Sequence, residues 1–391
     1  MKLRFNMILS MILIAAVLAG CNRNAPAEET TPTQTTVTTE STQAPETEAT
    51  EAATEATDPV IGPEDEIPGI PLRSMLQNGN PKNLEDWVIE NYRETFTWKD
   101  ASGNTHTVSV TLPALAPVAD FALHYNERVH SLGNAILAAI SSQREEGLPA
   151  SEASIRFEAQ LRDDVLSILM IREMADGSVL YTADSFDVED REELSTADLC
   201  DELLELDYPQ FLAATNPILT AEFDRLFGSN ADPALRASIA TDLVKLANRE
   251  LFLGDQGQLM LLYTLPGNTP GSTVQGYLPL TADSIDRKNL PTEQEAYDAF
   301  FAMMEKADGA YADAAARMLK DAFLADSEDF AEFASVQKYL APAQIGKLIV
   351  SVLIYDDAVE FQLDCQELLR EKDLSSGARS VVNDIFKQYG H

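Results

Sequence analysis

The first twenty-one residues of this chain have the pattern of a secretion signal, so the folded part of the protein must lie beyond them. Lys2 and Arg4 precede an uncharged apolar run over residues 7–19, which is too short for a comfortable transmembrane helix. The run ends in Leu18-Ala19-Gly20-Cys21, where small residues lead to a thiol. This order predicts a bacterial lipoprotein signal over residues 1–21, with a lipid attached at Cys21. The alternative is an ordinary secretory signal that contains a chance cysteine.

The next segment, residues 22–66, consists almost entirely of Thr, Glu, Ala, Pro and Ser, and Arg23 is its only base. Such a composition offers too little apolar surface to offset conformational entropy, so we expect it to be disordered. Roughly 45 residues of flexible chain span about 40 Å, and repulsion between glutamates extends them further. Next to an anchor, this favours a tether that lifts a folded domain off the membrane over a tail of no consequence.

The charge balance limits the partners of the protein. The chain has 28 basic and 64 acidic residues, a formal net charge of −36. Cleavage before Cys21 removes two bases and no acid, which changes this to −38. Nucleic acid requires a basic face, so we expect no nucleic-acid partner. A basic protein or a cell-wall ligand fits the charge, the membrane is reached through the lipid anchor, and the oligomeric state stays open.

Two cysteines, Cys200 and Cys365, remain after the signal, too few for a disulfide scaffold. Each falls on the apolar side of a helix-like pattern. This favours buried free thiols, and a long-range disulfide between the two is the alternative.

Residues 67–286 mix strand and helix patterns, which predicts an α+β domain in which helices pack on an antiparallel sheet. Strand-like runs occupy residues 92–98, 105–112, 155–161, 165–173, 178–184, 258–265 and 273–280. Apolar residues at 3.6-residue spacing from Val118 to Ile140 predict a long amphipathic helix. The nearly unbroken apolar run over residues 165–171 predicts a central strand that is covered on both faces.

Beyond Asp286 the pattern is helical only, which predicts a separate all-α module over residues 287–391. Thr292 and Glu295 have the spacing of a capping box at its first helix. Breaks at residues 309, 326–327, 341–342, 356 and 375–377 indicate about six short helices.

Motif spacing favours no catalytic or metal site. His124 and His130 lie six residues apart on the predicted helix, whereas zinc ligation from one helix needs one-turn spacing. Ser335 and Lys338 match the Ser-x-x-Lys pattern of serine acyl-transferases, but the accompanying motifs are missing. We therefore expect no enzyme, no cofactor and no metal, and the sequence names no ligand-binding residue.

Two further clusters have a functional and a structural interpretation. The densest acidic cluster lacks the ligand spacing and turn glycine of a calcium loop, which favours a solvated strand end. An aromatic cluster near the domain start could stack on carbohydrate or belong to the core, and we favour the core. The acidic residues are Asp184, Asp187, Glu189, Asp190, Glu192 and Glu193, and the aromatic ones are Trp87, Tyr92, Phe96 and Trp98.

Three passages carry a resemblance to a known family. A strand over residues 108–113 leads into the helix that carries Asn126 and Asn134, residues 181–199 pass from a strand through a turn to Asp198-Leu199, and a late hairpin surrounds residues 255–257. This order resembles the extracellular domain of the lysozyme-sensing anti-sigma-V factors. The resemblance covers about half of the mature chain, and it implies an α+β extracellular fold and a lysozyme-like basic partner.

These observations together favour a non-enzymatic, lipid-anchored protein on the outward face of a bacterial cell membrane, which binds or senses an unidentified ligand. One alternative is a cell-wall-active hydrolase, which needs a cleft with paired carboxylates. The other is a structural envelope protein without a small-molecule ligand.

Overall fold

The computed structural model describes residues 69–389, with gaps at 229–230, 268, 270, 306, 354 and 371–373. The lipid-attachment residue Cys21, the signal over residues 1–21 and the tether over residues 22–66 lie outside the described residues. None of the helices in the described part of the chain combines the length and the hydropathy needed to cross a membrane.

A six-stranded sheet forms the first half of the fold, and its strands lie side by side in chain order. Its elements are α1 (Leu84–Trp87), β1 (Val88–Lys99), β2 (Thr105–Leu115), α2 (Asp120–Glu145), β3 (Glu152–Arg162), β4 (Val165–Met174), β5 (Val179–Asp187) and β6 (Glu192–Leu194). Neighbouring strands are antiparallel except β2 and β3, which are parallel. A parallel pair requires a crossover connection, and α2 supplies it.

The helix α2 covers one face of this sheet, as its apolar stripe predicts. Its inward side chains, among them Phe121, Tyr125 and Ile136, form one buried cluster with Trp87, Tyr92, Phe96 and Trp98. The core interpretation of these four aromatic residues is therefore confirmed. At Gly133 a Cβ atom would lie 2.2 Å from Ile70 Cδ1 and 2.6 Å from Leu112 Cδ1, so a larger residue would require the ends of these two side chains to shift.

A second, three-stranded antiparallel sheet packs against the other face. This part comprises α3 (Thr196–Leu204), α4 (Tyr208–Phe227), α5 (Pro233–Ser238), α6 (Leu243–Leu246), β7 (Glu250–Leu253), β8 (Leu259–Pro266) and β9 (Thr273–Pro279). Leu169 and Ile171 of β4 meet Phe252 and Met260 of this sheet. Since the alternate residues of β4 face α2, its predicted central position, with both faces covered, is confirmed.

The α+β class is confirmed, and the late strands form a sheet of their own. The two sheets are joined at the edge of β5, because β6 pairs only with the last three residues of that strand. Beyond β6, the free N–H of Tyr181 donates to Gln275 Oε1 at 3.0 Å, and that of Ala183 donates to Glu250 Oε2 at 3.3 Å. Side chains thus replace the missing strand and protect the exposed edge.

The C-terminal region is helical throughout its described residues, as predicted. It contains α7 (Glu293–Met304), α8 (Ala310–Ala325), α9 (Ser327–Val336), α10 (Pro342–Val352), α11 (Tyr355–Arg370) and α12 (Ser376–Tyr389). The capping box at α7 is confirmed, because Glu295 N donates to Thr292 Oγ1 at 3.3 Å and Thr292 N donates to Glu295 Oε2 at 3.0 Å.

These helices share a continuous apolar core with α3, α4 and the second sheet. Across the predicted boundary, the rings of Tyr208 and Phe300 meet edge to face at 6.3 Å, and Gln210 Nε2 donates to the carbonyl of Pro291 at 3.1 Å. Cys200 and Cys365 are buried and free at the two ends of this core, which confirms the predicted free thiols. The division into modules 67–286 and 287–391 stays a prediction.

Limited proteolysis of the mature protein tests this division. We expect the first cuts within residues 22–66 and the next between residues 282 and 291, where the polar residues Asp286 and Lys288 are exposed. Mass spectrometry of the fragments over time measures the order of cutting. A resistant fragment that runs uncut from about residue 67 to His391 would show one folding unit and exclude the two-module division.

Candidate functional site

The best candidate for a binding site is a cavity of about 180 Å³ where β5, α3, α4, β7 and α8 meet. It occupies the notch at the edge of β5 that the short strand β6 leaves uncovered. The polar residues that line it are Ser185, Ser195, Thr196, Tyr208, Arg249, Glu250, Arg317 and Asp321.

Arg249 lies behind the cavity wall and is 2% exposed. Its Nη1 donates to the carbonyl of Leu212 and to Thr215 Oγ1, both at 2.8 Å. Its Nη2 donates to Asn216 Oδ1 at 2.8 Å and to the carbonyl of Ile239 at 2.6 Å. Burial lowers the pKa of Arg249 to about 9, which leaves the guanidinium charged at neutral pH. Among the described residues no carboxylate neutralises it, so dipoles compensate this buried cation.

Arg249 contacts the turn of α4 that precedes Pro217. Pro217 has no N–H to donate within the helix, and its ring crowds the preceding turn. Thr215 Oγ1 donates to the carbonyl of Phe211 at 3.0 Å, and Arg249 donates to that of Leu212, so side chains supply additional donors to this turn. Arg249 thereby fixes the position of α4, which carries Tyr208 at its first residue.

Glu250 begins β7 and lies next to Arg249. Its Oε2 is held by the N–H of Ala183, while Oε1 has no hydrogen-bond partner among the described residues. Burial raises the pKa of Glu250 to about 7, and Asp184 and Asp321 act in the same direction. Arg317 opposes them, yet it lies beyond the 4.0 Å distance of an ion pair.

Most hydroxyl groups of the wall hold the fold together. Thr196 Oγ1 accepts from the N–H of Leu251 at 3.2 Å, and Ser185 Oγ contacts Ser167 Oγ at 2.8 Å. Ser195 caps α3 by accepting from the N–H of Ala197 at 3.1 Å and from that of Asp198 at 3.2 Å. These groups have little capacity left for a ligand.

Two further groups of the wall are available. Tyr208 is 4% exposed, and its hydroxyl has no hydrogen-bond partner among the described residues. Arg317 is exposed at the rim and likewise lacks a hydrogen-bond or ion-pair partner in the described part of the chain. Asp321, by contrast, lies 3.2 Å from Lys320 Nζ. The cavity therefore presents one acceptor (Glu250), one cation (Arg317) and one hydroxyl (Tyr208).

A larger depression of about 360 Å³ lies between α8, α9 and α11. It is lined by the carboxylates Asp326, Glu328, Asp364 and Glu367 without a basic residue, and burial raises the pKa of Asp364 to about 6. Within the described residues, no group of three or more His, Cys, Asp or Glu side chains could hold a metal ion. A wall of one charge sign, without a cation to balance it, makes this depression the weaker candidate.

The acidic cluster predicted at the end of β5 is a solvated turn. Asp187 Oδ1 accepts from the backbone N–H groups of Glu189 and Asp190, both at 2.7 Å. Arg128 of α2 bridges Asp184 at 3.0 Å and Glu193 at 2.8 Å. The cluster thus closes the β5–β6 turn and ties it to α2.

The remaining motif residues lie apart from the cavity. His124 and His130 are partly buried on α2, and the ring of His130 contacts Asn134 Nδ2 at 3.2 Å. Ser335 Oγ donates to the carbonyl of Glu332 at 2.8 Å, while Lys338 Nζ lies 5.6 Å from the ring centre of Tyr339. The structure therefore brings none of the sequence-derived motifs together.

The sequence did not predict the cavity residues Arg249 and Glu250, because the strand β7 was not predicted. A usable signal exists: Arg249-Glu250 directly precedes the apolar run Leu251-Phe252-Leu253 and a Gly254-to-Gly257 turn, so two charges lead into a buried strand. Charged side chains at such a position need partners, which marks them for attention.

Fold and cavity together define an α+β protein with a small polar internal site. No protein-family model matches the chain, and no curated protein does. Among solved structures, the chain is similar to a member of the DUF3298 family from Bacteroides fragilis NCTC 9343, at 11% identity and a TM-score of 0.29, over 54% of this chain and 95% of that one. No functional argument rests on a likeness of this size.

Proposed function

We propose that this chain is a lipid-anchored, outward-facing binding protein of the bacterial cell membrane, and that the cavity beside Glu250 is its ligand site. The observation that carries the proposal is the convergence of Tyr208, Glu250 and Arg317 on one space with unused hydrogen-bonding capacity. Each hydrogen bond that a ligand makes to a charged group such as Glu250 or Arg317 contributes about 1.5–3 kcal/mol. The protein acts through binding or sensing rather than through catalysis.

The resemblance to the anti-sigma-V factors adds a candidate partner outside the cavity. A lysozyme-like basic protein is attracted by the net charge of −38 of the mature chain, of which −10 lies in the tether and −28 in residues 67–391. We propose this contact as an accessory surface interaction that depends on salt.

A hydrolase is supported less well. Glu250 and Asp321 line the same cavity, and a carboxyl group with a pKa of about 7 is suited to act as a general acid. A polysaccharide, however, needs room for linked rings on both sides of the bond that is cleaved. The 180 Å³ of the cavity correspond to about six water molecules at roughly 30 Å³ each.

Ligand-induced stabilisation tests the binding function. A dialysable extract of cell envelopes should raise the Tm of the mature protein by about 5 °C when its ligand is near 100 times Kd. Ala247→Leu, which places extra volume in the cavity, should abolish this rise. Ala101→Leu in the exposed β1–β2 turn is the matched control and should retain it. A rise that survives Ala247→Leu places the ligand elsewhere, and no rise with any envelope extract contradicts a binding function.

The anchor is tested separately by Cys21→Ala. We expect the wild-type protein to sediment with membranes and to partition into detergent, because a diacylglyceryl group at Cys21 supplies two acyl chains. The variant should be released or should persist as a longer precursor, which immunoblots of membrane and soluble fractions detect. Equal membrane association and equal mobility of both proteins would exclude lipid attachment at Cys21.

A further inference from the structure

The cavity side chains that make no hydrogen bond within the protein indicate the chemistry of its ligand. Ser185, Ser195 and Thr196 are engaged in the wall. Glu250 Oε1 and the Tyr208 hydroxyl remain, together with the guanidinium of Arg317 at the rim. Tyr208 is almost completely buried and lines this space.

The two free charges have opposite signs and do not neutralise each other. Glu250 and Arg317 interact electrostatically, but their charged atoms are more than 4.0 Å apart. Tyr208 lies within the electrostatic range of Asp321, Arg249 and Arg317, and its hydroxyl can donate a hydrogen bond to a negative group. A ligand that spans the gap meets the carboxylate of Glu250 on one side, which suits a cationic group. On the other side it meets the donors of Arg317 and Tyr208, which suit an anionic group.

The size of the cavity limits what can span this gap. A cavity of about 150 Å³ holds benzene, which has six heavy atoms. The 180 Å³ present here therefore suit a molecule of about seven heavy atoms, given that polar ligands pack at similar density. Alanine and serine have this size, and threonine is slightly larger.

We propose that the cavity binds a small amino-acid-like zwitterion, with its ammonium group on Glu250 and its carboxylate on Arg317 and the Tyr208 hydroxyl. This inference rests on the proposed binding function and gives it a ligand class. A simple anion would leave its charge facing Glu250 and Asp321, and a simple amine would face Arg317 with the buried cation Arg249 behind the wall. Because the lining residues include two cations and two carboxylates, a ligand without net charge is matched best.

Calorimetric titration of the mature lipidated protein in detergent at pH 8 tests the ligand class. The probes are L-alanine, L-serine and L-threonine, with propionate and ethylamine as ligands that carry only one of the two charges. At least one amino acid should bind about tenfold or more tightly than propionate and ethylamine, because each charge-assisted hydrogen bond contributes that much or more.

Substitutions locate the two contacts. Glu250→Gln and Arg317→Gln should each weaken amino-acid binding about tenfold, whereas Tyr208→Phe should weaken it several-fold. The matched controls are Glu145→Gln and Arg93→Gln, which alter exposed residues of the α2–β1 side and should leave the affinity unchanged. In addition, Arg317→Gln should preserve or raise the residual affinity for ethylamine, because it removes a like charge, whereas a general loss of structure would lower that affinity.

The outcomes separate the ligand class from the binding function. Binding of propionate or ethylamine as tight as that of every amino acid, or amino-acid binding that is unchanged in Glu250→Gln and Arg317→Gln, overturns the zwitterion assignment. If none of the amino acids binds while an envelope extract still stabilises the wild type and not Ala247→Leu, the ligand class is wrong and the cavity remains the binding site. If neither effect is seen, both proposals are wrong.

Discussion

Replacement of Arg249 by leucine should lower the free energy of unfolding by about 3 kcal/mol and the Tm by about 5–10 °C. The substitution leaves the carbonyls of Leu212 and Ile239 and the amide oxygen of Asn216 buried without their present donor. Removal of the buried cation relieves its own desolvation cost, which keeps the expected loss below the sum for three unsatisfied acceptors. Urea denaturation of the mature protein, followed by circular dichroism, measures the change.

Arg225→Leu is the matched control for this substitution. Arg225 is an exposed residue of α4, the helix that Arg249 contacts, and it pairs with Glu222 at 2.6 Å. An exposed ion pair contributes little, so we expect a change within about 0.5 kcal/mol. Arg249→Lys should be intermediate, because one ammonium group cannot reach both Leu212 and Ile239 as the forked guanidinium does. If Arg249→Leu is as stable as Arg225→Leu, Arg249 does not hold α4 in place.

The second large effect is a loss of stability as the pH rises, and Glu250 makes the largest single contribution to it. Its pKa of about 7 in the folded protein lies above the ordinary 4.5, so the folded state binds its proton more tightly than the unfolded state does. The free energy of unfolding therefore falls as the pH rises through the window from about 4.5 to 7, and the penalty is complete above that range. Each pKa unit corresponds to about 1.4 kcal/mol, and partial solvent access reduces the total to about 1–3 kcal/mol.

Glu250→Gln removes this penalty and keeps an oxygen acceptor for the N–H of Ala183. We expect the variant to match the wild type at pH 5 and to be more stable by about 1–3 kcal/mol at pH 8. The groups that face Glu250 are Asp184 of β5 and Arg317 and Asp321 of α8, and all of them remain. Asp184, Asp207 and Asp364, whose pKa values burial raises to about 6, keep part of the slope in both proteins.

Urea midpoints at pH 5, 6, 7 and 8 give the comparison, with Glu145→Gln as a control for the loss of one negative charge. Equal pH slopes in the wild type and Glu250→Gln would show that this carboxyl is not destabilised by burial. A Glu145→Gln variant that gains as much at pH 8 would instead attribute the slope to general repulsion between the acidic residues.

Local patterns predicted the regular elements well. The stripe from Val118 to Ile140 became α2, the run over residues 165–171 became the central strand, and the cap at Thr292 begins a helix as expected. These features depend on residues within about one turn or one hairpin of each other, where hydrogen bonds and burial follow directly from spacing.

The sequence did not predict how these elements are arranged in space. The parallel pairing of β2 with β3 follows from the crossover of α2, and the separate second sheet follows from the side-chain contacts of Glu250 and Gln275 with the edge of β5. The shared core between α3, α4 and the C-terminal helices joins apolar faces that periodicity alone assigns to two modules.

The sequence by itself therefore determined the class of elements, the acidic surface, the buried free thiols and the predicted anchor at Cys21, because each depends on composition or on close neighbours. Only the tertiary structure decided where a ligand can bind. Tyr208, Glu250 and Arg317 come from three distant segments, and they meet because β6 ends early and α4 is held by Arg249. No spacing along the chain encodes such a meeting, since it arises from packing between elements and from the need of each buried polar group for a partner.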